Sequence, residues 1–242
     1  MGELVLLDRV GRVATVTLNR PERRNALSDP LLTELTAVLT DLRDDDTTRV
    51  VVLTGSPPVF SAGADAPFHR AMSEAERRRV FGERRTQFRR LFDRATALLE
   101  GLEQVTIAAI NGHAVGGGWS LTLACDFRLA AAGAEFWIPE VELGVPLGVA
   151  STARFVRLVG PARAKEIILE GRRYSAREAQ SLGLVHRVVE PAALADEVRA
   201  LAERLAAKPF PPLAEAKARI NVIARTGLPE VNAITEGFLE RA

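Results

Sequence analysis

Three consecutive glycines, Gly116 to Gly118, interrupt the apolar stretch "HAVGGGWSL" that runs from His113 to Leu121. A strand-like run precedes them and a helix-like run follows. Glycine gives up more backbone entropy on folding than any other residue, so three in a row oppose folding unless something requires them. The run therefore marks a place where a partner comes so close to the main chain that side chains are excluded. It also opens a helix, where free amides and the helix dipole favour negative charge. Ser120 follows three positions after the central glycine, Gly117.

The remaining pattern supplies the frame around this junction. "ELVLLDRVGRVATVTLNR" reads as two strands around a turn at Val10-Gly11. "SDPLLTELTAVLTDLRDD" reads as a helix, with Ser28 or Asp29 as N-cap, Pro30 at its first position and leucines at helical spacing. "RVVVLTG", "VTIAAIN" and "DFRLAAA" read as buried strands, and Ala71 to Leu102 as a charged helix. From Pro161 the pattern is mostly helical; "YSAREAQSLGLVHRVV" reads as a capped helix, a stop at Gly183 and a strand. Strands alternating with helices, then helices alone, argue for an α/β fold with a helical C-terminal part.

Length and charge narrow the function classes. The 242 residues suffice for one sizeable core. A formal net charge of +1 gives no global field toward nucleic acid or an anionic membrane. The one cysteine, Cys125, excludes an intrachain disulfide, and a cytoplasmic setting is expected. The N-terminal apolar run is broken by Asp8 and Arg9, unlike a secretory signal, and no run approaches a membrane helix in length.

A second small-residue loop gives the glycine run its meaning. "VVVLTGSPPVFSAGAD" places Ala62, Gly63 and Ala64 after one buried strand, and the glycine run follows the next. Two such loops allow two peptide N–H groups to converge on one oxygen. That is the specification of an oxyanion hole: preorganised donors aimed at charge that develops in a transition state. Either loop alone is more simply explained as a tight packing turn.

Five ordered motifs resemble the crotonase (enoyl-CoA hydratase/isomerase) superfamily. "VTLNRPERRNAL" is similar to its opening signature, "FSAGAD" to its first oxyanion loop and "AAINGHAVGGGWSLTLACDFRLAA" to its second. "PEVELG" resembles its catalytic-glutamate loop and "YSAREAQSLGLVHRVV" its late helix-strand pair. The resemblance implies a spiral of ββα units over residues 1–190 and a helical C-terminal region over 191–242 that serves trimerisation or as a lid. That lid looks shortened at the closing "AITEGFLERA". It implies a homotrimer or hexamer acting on an acyl-CoA thioester, with no metal and no redox cofactor; coenzyme A enters as part of the substrate.

The resemblance also assigns residues. The N–H groups of Ala64 and Gly117 would bind the thioester oxygen, and Glu140 would move the proton. Arg23, Arg24, Ala26, Ala62, Asp65, Ala66 and Pro67 would lie along the path of the CoA arm, with Gly116, Ser120 and Trp137 around the acyl end. Family hydratases carry a second glutamate one helical turn beyond the central glycine; here Ser120 stands there. A hydroxyl without an activating base is no general base near neutral pH. One carboxylate on an enolate-stabilising platform suits a proton shuttle between α- and γ-carbons, so isomerisation of 3-enoyl- to 2-enoyl-CoA is favoured. Burial near Phe136 and Trp137 is expected to raise the pKa of Glu140. Glu142 is expected to face solvent, Asp65 to order its loop, and Asp126 to end a helix or pair internally.

Hydration with Ser120 holding the water, decarboxylation and thioester hydrolysis remain alternatives within the same chemistry. A serine hydrolase built on Ser120 and His113 lacks the "GxSxG" elbow. The arginine-rich segment with Phe81, Phe88, Leu91, Phe92 and Ala95 reads as an amphipathic helix with a solvated face. The near-zero net charge argues against an RNA-binding module, and Glu140 in its motif argues against a non-catalytic acyl-CoA-binding one. His69, His113 and His186 show no metal-ligand spacing.

Overall fold

A computed structural model describes residues 3–65 and 73–225, with backbone alone over 74–85. The chain opens with β1 (Val5–Val10) and β2 (Val13–Leu18), an antiparallel hairpin turning at Gly11. Helix α1 (Asp29–Arg43) is capped by Ser28, whose hydroxyl accepts from the Leu31 N–H; Pro30 therefore sits at the second helical position rather than the first. Next come β3 (Val50–Gly55), the long helix α2 (Glu74–Gly101) and β4 (Val105–Ile110). The two-residue strand β5 (Ala114–Val115) leads into α3 (Gly117–Thr122). They are followed by β6 (Phe127–Ala131), β7 (Glu135–Trp137) and α4 (Val149–Glu170). The chain continues through β8 (Tyr174–Ser175), α5 (Ala176–Ser181), β9 (Arg187–Val189), α6 (Leu194–Ala206) and α7 (Phe210–Ala224).

Six strands form one sheet in the order β1-β2-β3-β4-β6-β9, parallel throughout except for the opening hairpin. A parallel sheet is covered on both faces, which is why its strands read as continuous apolar runs rather than as alternation. All six residues of β4 are buried. One face packs against α1, α2 and α3. The other packs against α6, through Leu194, Val198, Leu201 and Leu205. Each buried aliphatic side chain there contributes about 1.5–3 kcal/mol relative to exposure.

Several elements differ from the sequence reading. The late helix begins at Val149, twelve residues before Pro161, and kinks at Gly160, whose φ is +72°. Helix α3 starts inside the glycine run, and Ser175 and Glu178 form a reciprocal capping box at α5. A three-stranded sheet, β5-β7-β8, has no counterpart in the apolar pattern because its strands are only two or three residues long. This small sheet brings the glycine run beside Trp137: the Gly116 N–H donates to the Trp137 carbonyl at 2.9 Å. Beyond β9 the described chain is helical. Among the described residues no helix is long and apolar enough to cross a membrane.

Candidate active site

The first loop is tied down by buried polar side chains. Asn25, fully buried with φ +53°, donates from Nδ2 to the Ser56 and Val59 carbonyls and accepts the Arg20 N–H. Asparagine tolerates this left-handed backbone better than most residues. Ser61 donates to the Asn25 carbonyl, and its Oγ accepts the Gly63 N–H. Asp65 accepts from Arg20 at 2.9 Å and from Arg23 at 3.3 Å. Burial opposes ionisation of Asp65, but the two guanidinium bonds outweigh it and hold its pKa below the usual carboxylate value. Asp65 thus ties the Arg20 and Arg23 side chains to this loop. Asn25, Ser61 and Arg20 escaped the sequence reading. The only signal for them was a polar residue between charged and small ones.

This anchoring turns one amide outward. Ala64 forms a parallel bridge with Leu27, in which Leu27 bonds to the flanking Gly63 and Asp65. The Ala64 N–H therefore points away from Leu27 and has no partner among the described residues. Gly117 is the first residue of α3, where an N–H has no intrahelical acceptor. A β-carbon built on Gly117 would stand 3.8 Å from the Ala64 nitrogen, so the two amides share one small space. Helix α3 is held there by Trp119, fully buried against Phe136, Phe155 and Tyr174 at ring-centroid distances of 5.3, 5.0 and 6.0 Å.

The three glycines answer to different neighbours. A β-carbon on Gly63 would meet the Val115 carbonyl at 2.6 Å, and one on Gly118 would meet the Ser61 carbonyl at 2.7 Å. On Gly116, whose φ is +50°, it would stand 2.5 Å from Glu140 Oε1. On Gly117 it would meet nothing closer than Leu27 Cδ1 at 3.4 Å. Two of the three are thus demanded by the protein's own packing, while Gly117 keeps open the space beside the amides.

Glu140 follows β7, on a turn whose Leu143 and Val145 amides return to the Glu140 carbonyl. Its carboxyl is turned inward over Gly116, and Oε2 is buried with no hydrogen-bond partner among the described residues. Burial pushes its pKa up to about 7, against the weaker pull of its own N–H. Ser120 is fully buried, and its Oγ is also unpartnered among the described residues. Glu142 is exposed.

A cleft of about 420 Å³ adjoins the loops, lined by Arg24, Val59, Ala62, His113, Val115 and Trp137, among others. Arg24, Ala62 and Trp137 were named from the sequence; His113 as a cleft wall was not. Arg23 is drawn to Asp65, and Ala26 is buried with its carbonyl bonded to Arg20. Ala66, Pro67, His69 and the side chain of Phe81 lie outside the described residues. His186 is structural: its Nδ1 accepts the Arg128 N–H. Asp126 pairs internally, accepting from the Thr106 N–H and hydroxyl and bridging to Lys217 at 2.8 Å.

Known proteins share this architecture. The family model described as enoyl-CoA hydratase/isomerase matches residues 8–241. A crotonyl-CoA hydratase of Syntrophomonas wolfei is 38% identical over 207 residues, covering 85% of this chain and 76% of the relative. The crystal structure of an enoyl-CoA hydratase from Bacillus anthracis superposes with a TM-score of 0.84 at 36% identity, over 98% of this chain and 90% of the other. A monofunctional enoyl-CoA isomerase from M. smegmatis superposes with a TM-score of 0.77 at 34% identity, over 93% and 95%. With both glycine loops and the glutamate turn in place along nearly its whole length, the chain belongs to the enoyl-CoA hydratase/isomerase family of the crotonase superfamily.

Proposed function

We propose that the chain isomerises 3-enoyl-CoA to 2-enoyl-CoA. The amides of Ala64 and Gly117 hold the thioester oxygen as negative charge develops on it, and the Glu140 carboxylate takes a proton from the α-carbon. The resulting dienolate is stabilised by the same two donors. Glu140 then returns its proton to the γ-carbon, which moves the double bond into conjugation. No net proton is gained or lost, so one carboxyl suffices. The observation that carries this reading is the single inward carboxyl over Gly116, with a pKa near 7, and Ser120 rather than an acid one turn beyond Gly117.

Supplying the purified protein with 2-enoyl- and 3-enoyl-CoA separately tests it. Rapid conversion of the 3-enoyl thioester with little hydration of the 2-enoyl one is expected. Fast hydration that survives Ser120→Ala would overturn the isomerase reading. The second reading, hydration by a water held at Ser120, is favoured by the relatives named hydratases.

We also propose a homotrimer or a dimer of trimers. The support is the exposed apolar side chains of α7, where Ile220, Val222 and Ile223 are 66%, 70% and 75% exposed. Light scattering of the purified protein, returning three or six chain masses, is the check.

A further inference from the structure

The proposed proton transfer leaves His113 unused, although it lines the cleft and its side chain is 42% exposed. The Glu135 N–H donates to His113 Nδ1 at 3.1 Å. A peptide N–H can only donate, so Nδ1 carries the lone pair and the proton of the neutral ring sits on Nε2. The ring is also held in place. It meets Trp137 edge-on at 6.0 Å, and the Arg173 guanidinium covers the Trp137 ring at 4.3 Å. Glu135 Oε2 in turn holds Arg173 at 3.1 Å. Glu135 therefore sets the tautomer with its amide and braces the neighbouring wall with its carboxylate. The backbone is fixed as well, because the His113 carbonyl accepts the Phe60 and Ser61 amides. This ties the ring's position to the loop that presents Ala64.

The charges of the cleft favour an anion. Arg24 lines it, is exposed, and its guanidinium makes no ion pair among the described residues. The Glu135 carboxylate stands 3.9 Å from His113 Nδ1, on the acceptor side of the ring, and is engaged by Arg173 at 3.1 Å. No carboxylate is among the lining residues, so the cleft itself offers the Arg24 guanidinium and a fixed imidazole N–H. A phosphoryl oxygen is the acceptor that suits both donors.

We propose that His113 is a specificity-determining residue whose Nε2–H, together with the Arg24 guanidinium, binds a phosphoryl oxygen of the coenzyme A arm. The inference rests on the acyl-CoA reading of the site. His113→Phe keeps a flat ring without a donor, and His113→Gln restores both an acceptor for the Glu135 amide and an outward N–H. The readouts are KM and kcat for enoyl-CoA and for the corresponding enoyl-pantetheine, which lacks phosphoryl groups, and the Kd of free coenzyme A by calorimetry.

For His113→Phe, a rise of about tenfold in KM for enoyl-CoA and in Kd for coenzyme A is expected. The kcat value and the KM for enoyl-pantetheine should change less than about twofold, and His113→Gln should recover most of the loss. An equal rise in KM with enoyl-pantetheine, or no rise with enoyl-CoA, would overturn the assignment. Absence of any acyl-CoA binding by the wild-type protein would instead overturn the proposed function and the assignment with it. The two failures are therefore distinguishable.

Discussion

Glu140 Oε1 occupies the space that a side chain on Gly116 would need: a β-carbon there would stand 2.5 Å from it. The glycine is thus a floor for the carboxyl, and the two residues, far apart in sequence, require each other. Gly116→Ala should displace Glu140 and also strain a backbone with φ +50°. The expected result is a loss of at least about 1 kcal/mol in stability together with most of the turnover.

Gly117→Ala should behave in the opposite way. Its methyl group finds no atom closer than 3.4 Å, and its backbone is not left-handed. Stability should stay within about 0.5 kcal/mol of wild type. Turnover should fall at least about a hundredfold, because the methyl group stands beside the Ala64 amide where the thioester oxygen would sit. Thermal melts and kcat/KM measured side by side separate the two variants.

The pH dependence follows from the Glu140 carboxyl, which burial raises from the ordinary glutamate value of 4.5 to about 7. As a base it acts when deprotonated, so kcat/KM should climb with pH along a limb centred near 7. Stability runs the other way. The native state holds this proton more tightly than the unfolded chain, so ionisation costs nothing below about 4.5, grows between 4.5 and 7, and is full above 7. Glu140→Gln should abolish turnover yet keep acyl-CoA binding. It should also gain on the order of 3 kcal/mol over wild type at pH 8 and nothing at pH 4. Melting both proteins across this range is the measurement.

Ser120→Ala removes a hydroxyl that is buried and unpartnered among the described residues. Deleting an unsatisfied polar group is neutral or stabilising. A melting temperature equal to or above wild type, with 3-enoyl isomerisation retained, is expected. A drop of more than about 1 kcal/mol would show that the hydroxyl has a bound partner in solution.

Lys217 joins the helical end of the chain to the sheet. Its Nζ meets Asp126 Oδ2 at 2.8 Å and donates to the Gln104 carbonyl at 2.8 Å, with the residue only 9% exposed. Lys217→Ala leaves Asp126 without its cation and should cost about 3 kcal/mol. Amide exchange over α7 should rise more than over β4, because the bond that docks the helix is lost while the strand stays paired on both sides.

The sequence by itself determined the α/β class, the buried parallel strands and the two small-residue loops, because apolar runs and glycine clusters record burial and close approach locally. It also exposed Glu140 in its motif and Ser120 in place of an acid. Only the tertiary structure decided why each glycine is there, since Gly116 and Gly118 face Glu140 and Ser61 from distant segments. It alone supplied the β5-β7-β8 sheet, whose strands are too short to leave a periodic signal, and the buried Asn25 knot that turns the Ala64 amide outward. The tautomer of His113 belongs to the same class: it depends on one backbone N–H that arrives from Glu135 through folding. Local pattern encodes which surfaces are buried. Which atoms meet is set by long-range packing, and the reactive geometry is made of such meetings.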